Sequence, residues 1–298
     1  MKPRRMMWLV TGAGGMLGGE MLTRLAADGH EVVGLGHAEL DVTSTTAVET
    51  ALRRHRPDVV VNCAAYTKVD EAEASESEAF EINALGPRNL AIACASIGGR
   101  LVHVSTDYVF AGDAVTPYDE DCEPAPRTAY GRSKLAGEQA VGELLPHRSA
   151  VVRTAWLYGE RGRSFVRTLI RLERERETLD VVADQRGQPT WTVDLAGRLV
   201  DIGRRSTATG IFHVTNSGDT TCWDLAREVF RLLGADPERI CPTATDRFPA
   251  IAKRPAYSVL GHRRCAEVGL APLRDWQSAL RVAFPRLLRA EETEGHQT

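Results

Sequence analysis

Lysine is nearly missing from this chain. Four lysines (Lys2, Lys68, Lys134 and Lys253) stand against 33 arginines, so each lysine is conspicuous. Net charge is also small: 37 basic and 40 acidic residues leave −3. That excludes a global basic field for nucleic acid or an anionic membrane. Six cysteines are scattered without a pattern, which excludes a disulfide scaffold. No His/Cys/Asp cluster has metal-ligand spacing, and no bound metal is expected. Long apolar runs are absent; none approaches the length that spans a bilayer. Lys2, Arg4 and Arg5 precede Met6–Val10. This run stops at Thr11-Gly12, too soon for a secretory leader. A cytoplasmic protein with reduced thiols is expected. The 298 residues suffice for a sizeable core in one large or two smaller domains.

What is present is alternation. Short apolar runs at Met7–Val10, Glu31–Leu35, Val59–Asn62, Leu101–Ser105 and Ala150–Thr154 read as strands, most of them rich in Val. Helical spacing fills Met16–Ala27, Ser44–Arg54, Ser77–Ile97 and Tyr130–Leu145. The pattern predicts an α/β fold, a Rossmann-type doubly wound parallel sheet. Beyond residue 155 the rhythm loosens. Helices are expected at Phe165–Arg176, Val193–Arg204 and Cys222–Leu233, with strands at Leu179–Val182 and Ile211–Val214. The division predicted is a dinucleotide-binding domain over 1–154, with 191–216 packing back onto it. A smaller irregular α/β substrate domain takes 155–190 and 217–290. The polar tail 291–298 is expected to fray.

The first predicted strand runs into Thr11-Gly12-Ala13-Gly14-Gly15-Met16-Leu17-Gly18, where a helix opens. Gly12 suits the tight turn, Gly15 lets backbone N–H groups approach a phosphate, and Gly18 lets the helix lie close to the sheet. A helix N-terminus there favours a pyrophosphate. Strand two ends near Leu35-Gly36-His37 without the acid that usually binds a ribose 2′-hydroxyl; Glu39 is the nearest. That absence favours NADPH, with NADH possible. His37 reads either as a phosphate contact or as a surface loop residue. Asp41, beside Val42, reads either as an adenine contact or as a helix cap. Ala64-Ala65-Tyr66 follow strand three at the sheet edge where cofactors bind, and Cys63 reads as a packed apolar residue.

Tyr130-Gly131-Arg132-Ser133-Lys134 opens a helix. Positions i and i+4 share one face, so the ammonium can lie beside the phenol and lower its pKa for acid–base work. Ser105 and Thr106 end strand four, and one hydroxyl can polarise a substrate carbonyl; Thr106 is the better candidate. An indole such as Trp156 reads either as a flat wall with one N–H donor for a ligand or as an ordinary core residue. Arg254 is read either as a diphosphate partner or as a solvated surface residue.

Together, the glycine loop, Asn62-Cys-Ala-Ala-Tyr-Thr-Lys-Val-Asp-Glu-Ala-Glu, Ser105-Thr-Asp-Tyr-Val-Phe, Tyr130-Gly-Arg-Ser-Lys, Arg153-Thr-Ala-Trp-Leu-Tyr-Gly and Asp184-Gln-Arg-Gly-Gln-Pro-Thr resemble the dTDP-4-dehydrorhamnose reductase family. These are extended short-chain dehydrogenases/reductases, and the resemblance spans about residues 7 to 288. It implies reduction of the C4 ketone of dTDP-4-dehydro-L-rhamnose to dTDP-L-rhamnose. It also implies Tyr130 as proton donor, Lys134 as its modulator and cofactor holder, and Thr106 as helper at the carbonyl. Thr106, Asp107 and Trp156 match substrate contacts; Gly15-Met16-Leu17 and Ala64-Ala65-Tyr66 match cofactor contacts.

Some family members bind Mg²⁺ through a carboxylate cluster at a dimer interface. Glu20 matches one of those positions, but Val193 stands where the cluster needs a Glu. No essential metal is expected, and the state expected is a monomer or weak homodimer. A 4,6-dehydratase would need an acid at Tyr108, and an epimerase an acidic end to strand two. A reductase of another dTDP-4-keto-sugar, such as one resembling dihydrostreptose synthase, would carry nearly identical motifs. A non-catalytic subunit resembling the β-subunit of methionine adenosyltransferase would not need the intact Tyr130–Lys134 pair and Thr106.

Overall fold

A computed structural model describes residues 6–295; the basic stretch Lys2–Arg5 and the last three residues of the expected frayed tail lie outside the described residues. Six strands form one parallel sheet: β1 Met7–Thr11, β2 Glu31–Leu35, β3 Val59–Asn62, β4 Arg100–Thr106, β5 Ser149–Thr154 and β6 Gly210–His213. Their order is β6-β5-β4-β3-β1-β2, and every pairing is parallel. The order reverses between β1 and β3, which opens a crevice at their carboxyl ends, the usual ligand position in open α/β sheets.

Val59, Val60 and Val61 are all fully buried, because helices cover both faces of the sheet. On one face Trp8 and Val10 pack with α1 (Met16–Ala27) and with Leu195, Leu199 and Ile202 of helix Thr192–Arg204. On the other, Leu9 packs with α2 (Thr45–His55) and α3 (Gly86–Ile97). This alternation along β1 is the two-residue period of a strand. A second core joins helices Phe165–Glu175, Cys222–Leu233 and Trp276–Gly295 through Leu169, Val229, Phe230 and Leu280.

Two departures from the sequence reading have physical causes. The helix expected over Ser77–Ile97 is broken into Glu76–Phe80, a π-turn Glu81–Leu85 and α3. Pro87, in the first turn of α3, has no N–H to continue the ladder, and a wider turn takes up the mismatch. The second departure is the tail. Helix Trp276–Gly295 continues past Arg289 despite Pro285, and Glu291 pairs with the buried Arg167. Arg167 also donates to the carbonyls of Glu160 (3.1 Å) and Gly162 (2.6 Å), so residue 291 is anchored rather than frayed.

Candidate active site

The glycine loop is built by contact. Gly12 has φ +64°, and a Cβ there would lie 2.7 Å from the Ala64 amide nitrogen. A Cβ on Gly18 would lie 2.1 Å from the Gly12 carbonyl oxygen. The start of α1 is thereby pressed onto the turn leaving β1, while Gly14 faces open space. Gly15 caps α1 with extended backbone and no side-chain bond, which leaves the first amides of Met16 and Leu17 free to face an anion. Asn62 joins the two edges of the crevice. Its Oδ1 accepts from the Thr11 hydroxyl (2.6 Å) and the Ala64 amide (3.2 Å). Gly12 and Gly18 admit no side chain here, and the turn they shape leaves helix amides facing outward in a way that fits a dinucleotide pyrophosphate.

Tyr130 is positioned by the start of α4, Ala129–Leu144. Thr128 caps this helix, accepting from the Gly131 amide at 3.0 Å. A Cβ on Gly131 would lie 2.2 Å from the Tyr108 carbonyl oxygen, so glycine lets the helix start press against the turn Asp107–Val109. That contact sets Tyr130 beside Thr106. Burial pushes the phenol up to about 12, the Thr106 hydroxyl pulls it down, and the Asp107 carboxylate raises it. Thr106 donates to Asp107 Oδ1 at 2.9 Å. Asp107 is buried, and burial lifts its carboxyl to about 6 against hydrogen bonds from Ser258 and Thr106.

Lys134 is 2% exposed, and its Nζ donates to the Val104 carbonyl at 2.7 Å. Burial lowers its pKa to about 8, while Glu138 and Cys63 raise it. The sequence reading expected the ammonium to acidify the phenol. The structure differs: Lys134 is turned to the β4 backbone, and the groups that shift Tyr130 are burial, Thr106 and Asp107. Burial pushes the Cys63 thiol up to about 12, which keeps it protonated at neutral pH.

Beyond Tyr108 opens a cavity of 540 Å³, whose lining includes Trp156, Val181, Val182, Leu225, Phe248 and Arg254. Trp156 adopts φ +46°, and its indole lies against Gly187, where a Cβ would meet the ring at 2.5 Å. Arg254 is not a free surface arginine. It pairs with Asp70 and donates to the Ala252 carbonyl at 3.2 Å, while Asp70 Oδ1 accepts from the Ala252 amide at 3.0 Å. This clasp ties the irregular segment to helix Val69–Ala74, beside the cofactor crevice.

Other candidates take different places. His37 is exposed at the end of β2. Asp41 does not cap α2; it accepts from the Thr43 amide (2.9 Å) and hydroxyl (2.7 Å), and Ser44 is the cap. Val42 is 6% exposed and buried in the core against α3, so its side chain does not line the crevice. Tyr66 is fixed by Asn83, a buried polar residue in the π-turn. Asn83 Oδ1 accepts from the Tyr66 amide (2.8 Å), and its Nδ2 donates to the Tyr66 carbonyl (3.0 Å). Glu20 faces Arg286, Arg161 and Arg24 as well as Glu160. Among the described residues no group of three or more His, Cys, Asp or Glu side chains could hold a metal, and no helix is long and apolar enough to cross a membrane.

A parallel sheet with a glycine turn at its reversal point, and with Thr106, Tyr130 and Lys134 gathered at the end of β4, defines a nucleotide-binding fold of the short-chain dehydrogenase/reductase type. The family described as "RmlD substrate binding domain" matches residues 6–288. The chain belongs to this family, that of the dTDP-4-dehydrorhamnose reductases. It is 59% identical, over 96% of this chain and 97% of the other, to a Streptomyces antibioticus protein named "Probable dTDP-4,6-dihydroxy-2-methyloxan-3-one 4-ketoreductase". It is 52% identical, over 94% and 93%, to the dTDP-4-dehydrorhamnose reductase of Streptomyces griseus. A Bacillus anthracis dTDP-4-dehydrorhamnose reductase solved in complex with NADP superposes with TM-score 0.91, at 39% identity, over 94% of this chain and 99% of that one.

Proposed function

We propose that this chain is an oxidoreductase that reduces the C4 ketone of dTDP-4-dehydro-L-rhamnose to dTDP-L-rhamnose, using NADPH or NADH. The observation that carries the reading is the buried Tyr130 beside Thr106 at the carboxyl end of β4, on the sheet whose β1 runs into the glycine turn. The names of the Streptomyces griseus and Bacillus anthracis relatives support the substrate class.

A bound reduced nicotinamide supplies the hydride. The free amides of Met16 and Leu17 would hold its pyrophosphate while Gly15, its own amide bonded to the Gly12 carbonyl, keeps side chains out of the way, and the small residues Ala64 and Ala65 leave room at the opposite edge. Lys134 spends one of three N–H donors on the Val104 carbonyl and keeps two for ribose hydroxyls. Tyr130, with its pKa pushed up to about 12, carries its proton at neutral pH. That is the state a ketone reduction needs: the phenol donates to the sugar oxygen as negative charge develops there. Thr106 would steady the same oxygen by turning its single hydroxyl proton from Asp107 toward it. Trp156, braced by Gly187, would form a flat wall for the deoxysugar, and Arg254, in the same cavity lining, would offer the diphosphate the N–H donors left over from Asp70 and the Ala252 carbonyl.

A second reading is reduction of a different dTDP-4-keto-sugar. The Streptomyces antibioticus relative carries such a name, and the cavity walls Val181, Val182, Leu225 and Phe248 are apolar enough to take a sugar with fewer hydroxyls. The intact Tyr130, Thr106 and Lys134 set speaks against a non-catalytic subunit. Incubation with each coenzyme and a panel of dTDP-4-keto-sugars, with products identified by mass spectrometry and NMR, separates these readings. Coenzyme oxidation with none of them overturns the enzyme assignment.

A further inference from the structure

Strand β2 ends at Leu35, and the next residue, Gly36, has no side chain. In dinucleotide folds an acid near this strand end accepts a hydrogen bond from the ribose 2′-hydroxyl. The sequence therefore reads as lacking that acid. The fold supplies one from three residues further on. The Gly36 amide donates to Glu39 Oε2 at 2.8 Å. A Cβ built on Gly36 would lie 2.8 Å from that same oxygen and 3.8 Å from the Gly14 amide nitrogen. The Glu39 carboxylate thus fills the space a side chain at Gly36 would occupy, at the rim of the glycine loop. The Ala13 amide donates to the Leu35 carbonyl at 3.3 Å, which ties this strand end to the loop.

The surrounding charge agrees. From Gly36 to Ser44 there is no Lys or Arg; His37 is the one basic side chain, and Asp41 adds a second carboxylate. A 2′-phosphate carries negative charge and calls for a guanidinium or ammonium. A 2′-hydroxyl carries a proton to donate and calls for an acceptor.

We propose that Glu39 is the coenzyme-selecting residue of this chain: its carboxylate, relocated onto the Gly36 amide, accepts from the ribose 2′-hydroxyl of NADH and repels the 2′-phosphate of NADPH. This rests on the nicotinamide-dinucleotide reading above and settles which form the cradle favours. Glu39 is exposed, so exchanging it leaves the core untouched. Gln keeps an acceptor for the Gly36 amide and removes only the charge.

The test is direct binding, by calorimetry, of NADH and NADPH to the wild type, Glu39→Gln and Glu39→Ala at low and high salt. ADP and adenosine 2′,5′-bisphosphate serve as fragments that differ at the 2′ position. The wild type is expected to bind NADH at least as tightly as NADPH. Both variants should shift the NADPH-to-NADH affinity ratio by about tenfold toward NADPH, and the shift should shrink at high salt. An unchanged ratio in both variants, or a wild type that strongly prefers NADPH, overturns the role of Glu39. Failure of the wild type to bind either dinucleotide overturns the coenzyme reading instead.

Discussion

Tyr130, on the first turn of α4, lies beside Thr106 at the end of β4, near enough for the threonine hydroxyl to lower the phenol's pKa. The two residues are 24 positions apart in sequence, and Gly131 lets them approach by pressing the helix start onto the Tyr108 backbone. Three predictions concern this pair and the lysine beneath it.

Thr106→Val keeps the shape of the strand end and removes the hydroxyl. It deletes the hydroxyl beside Tyr130 and the donor to Asp107. Turnover should fall by about 10²-fold, the scale for losing one donor to a developing oxyanion. Coenzyme affinity should stay within about twofold, because Thr106 takes no part in the glycine cradle. Steady-state kinetics beside a binding titration checks both; full turnover would remove Thr106 from the site.

Gly131→Ala tests the positioning argument without touching a reacting group. The added methyl would sit 2.2 Å from the Tyr108 carbonyl oxygen, so the helix start must move away. Overpacking of this kind costs about 1–3 kcal/mol. The unfolding midpoint should fall accordingly, and kcat should drop further than stability alone explains, because Tyr130 moves with the helix. A stable variant with unchanged kcat would show that the close approach does not place the phenol.

Lys134 makes stability depend on pH. Its folded pKa is about 8, against 10.5 for the free side chain, because burial penalises the ammonium. Between those values the unfolded chain holds the extra proton, so stability contributed at this position rises with pH through that window and is lowest below about pH 8. Lys134→Met abolishes the dependence. The wild-type minus variant unfolding free energy should become more favourable by about 2 kcal/mol between pH 7 and 9.5. Urea denaturation at both pH values measures it, and a pH-independent difference would contradict the burial argument. The same variant should lose most of its turnover.

Much of this architecture was readable in advance because its determinants are local. Val59–Asn62 and Glu31–Leu35 match their strands, and Met16–Ala27 and Cys222–Leu233 match their helices, since β-branched runs and helical spacing act over a few residues. The glycine loop was legible for the same reason. What escaped depends on contacts distant in sequence. The pairing of Asp70 with Arg254 spans 184 positions. The anchoring of Glu291 on Arg167 stabilises a polar helix end that composition alone marks as loose. Helix spacing placed Lys134 beside Tyr130, but the buried ammonium is drawn to the Val104 carbonyl, an acceptor on another element. Gly36 shows the reverse problem: a missing side chain in the sequence is filled in space by Glu39.

The most direct measurement is oxidation of reduced coenzyme by wild type and Tyr130→Phe, with dTDP-4-dehydro-L-rhamnose at saturation and coenzyme binding measured in parallel. Wild type should turn over. The Phe variant should bind coenzyme normally and lose about 10²–10⁴-fold in turnover, the range for removing a general acid. Near-wild-type turnover by Tyr130→Phe would contradict the account.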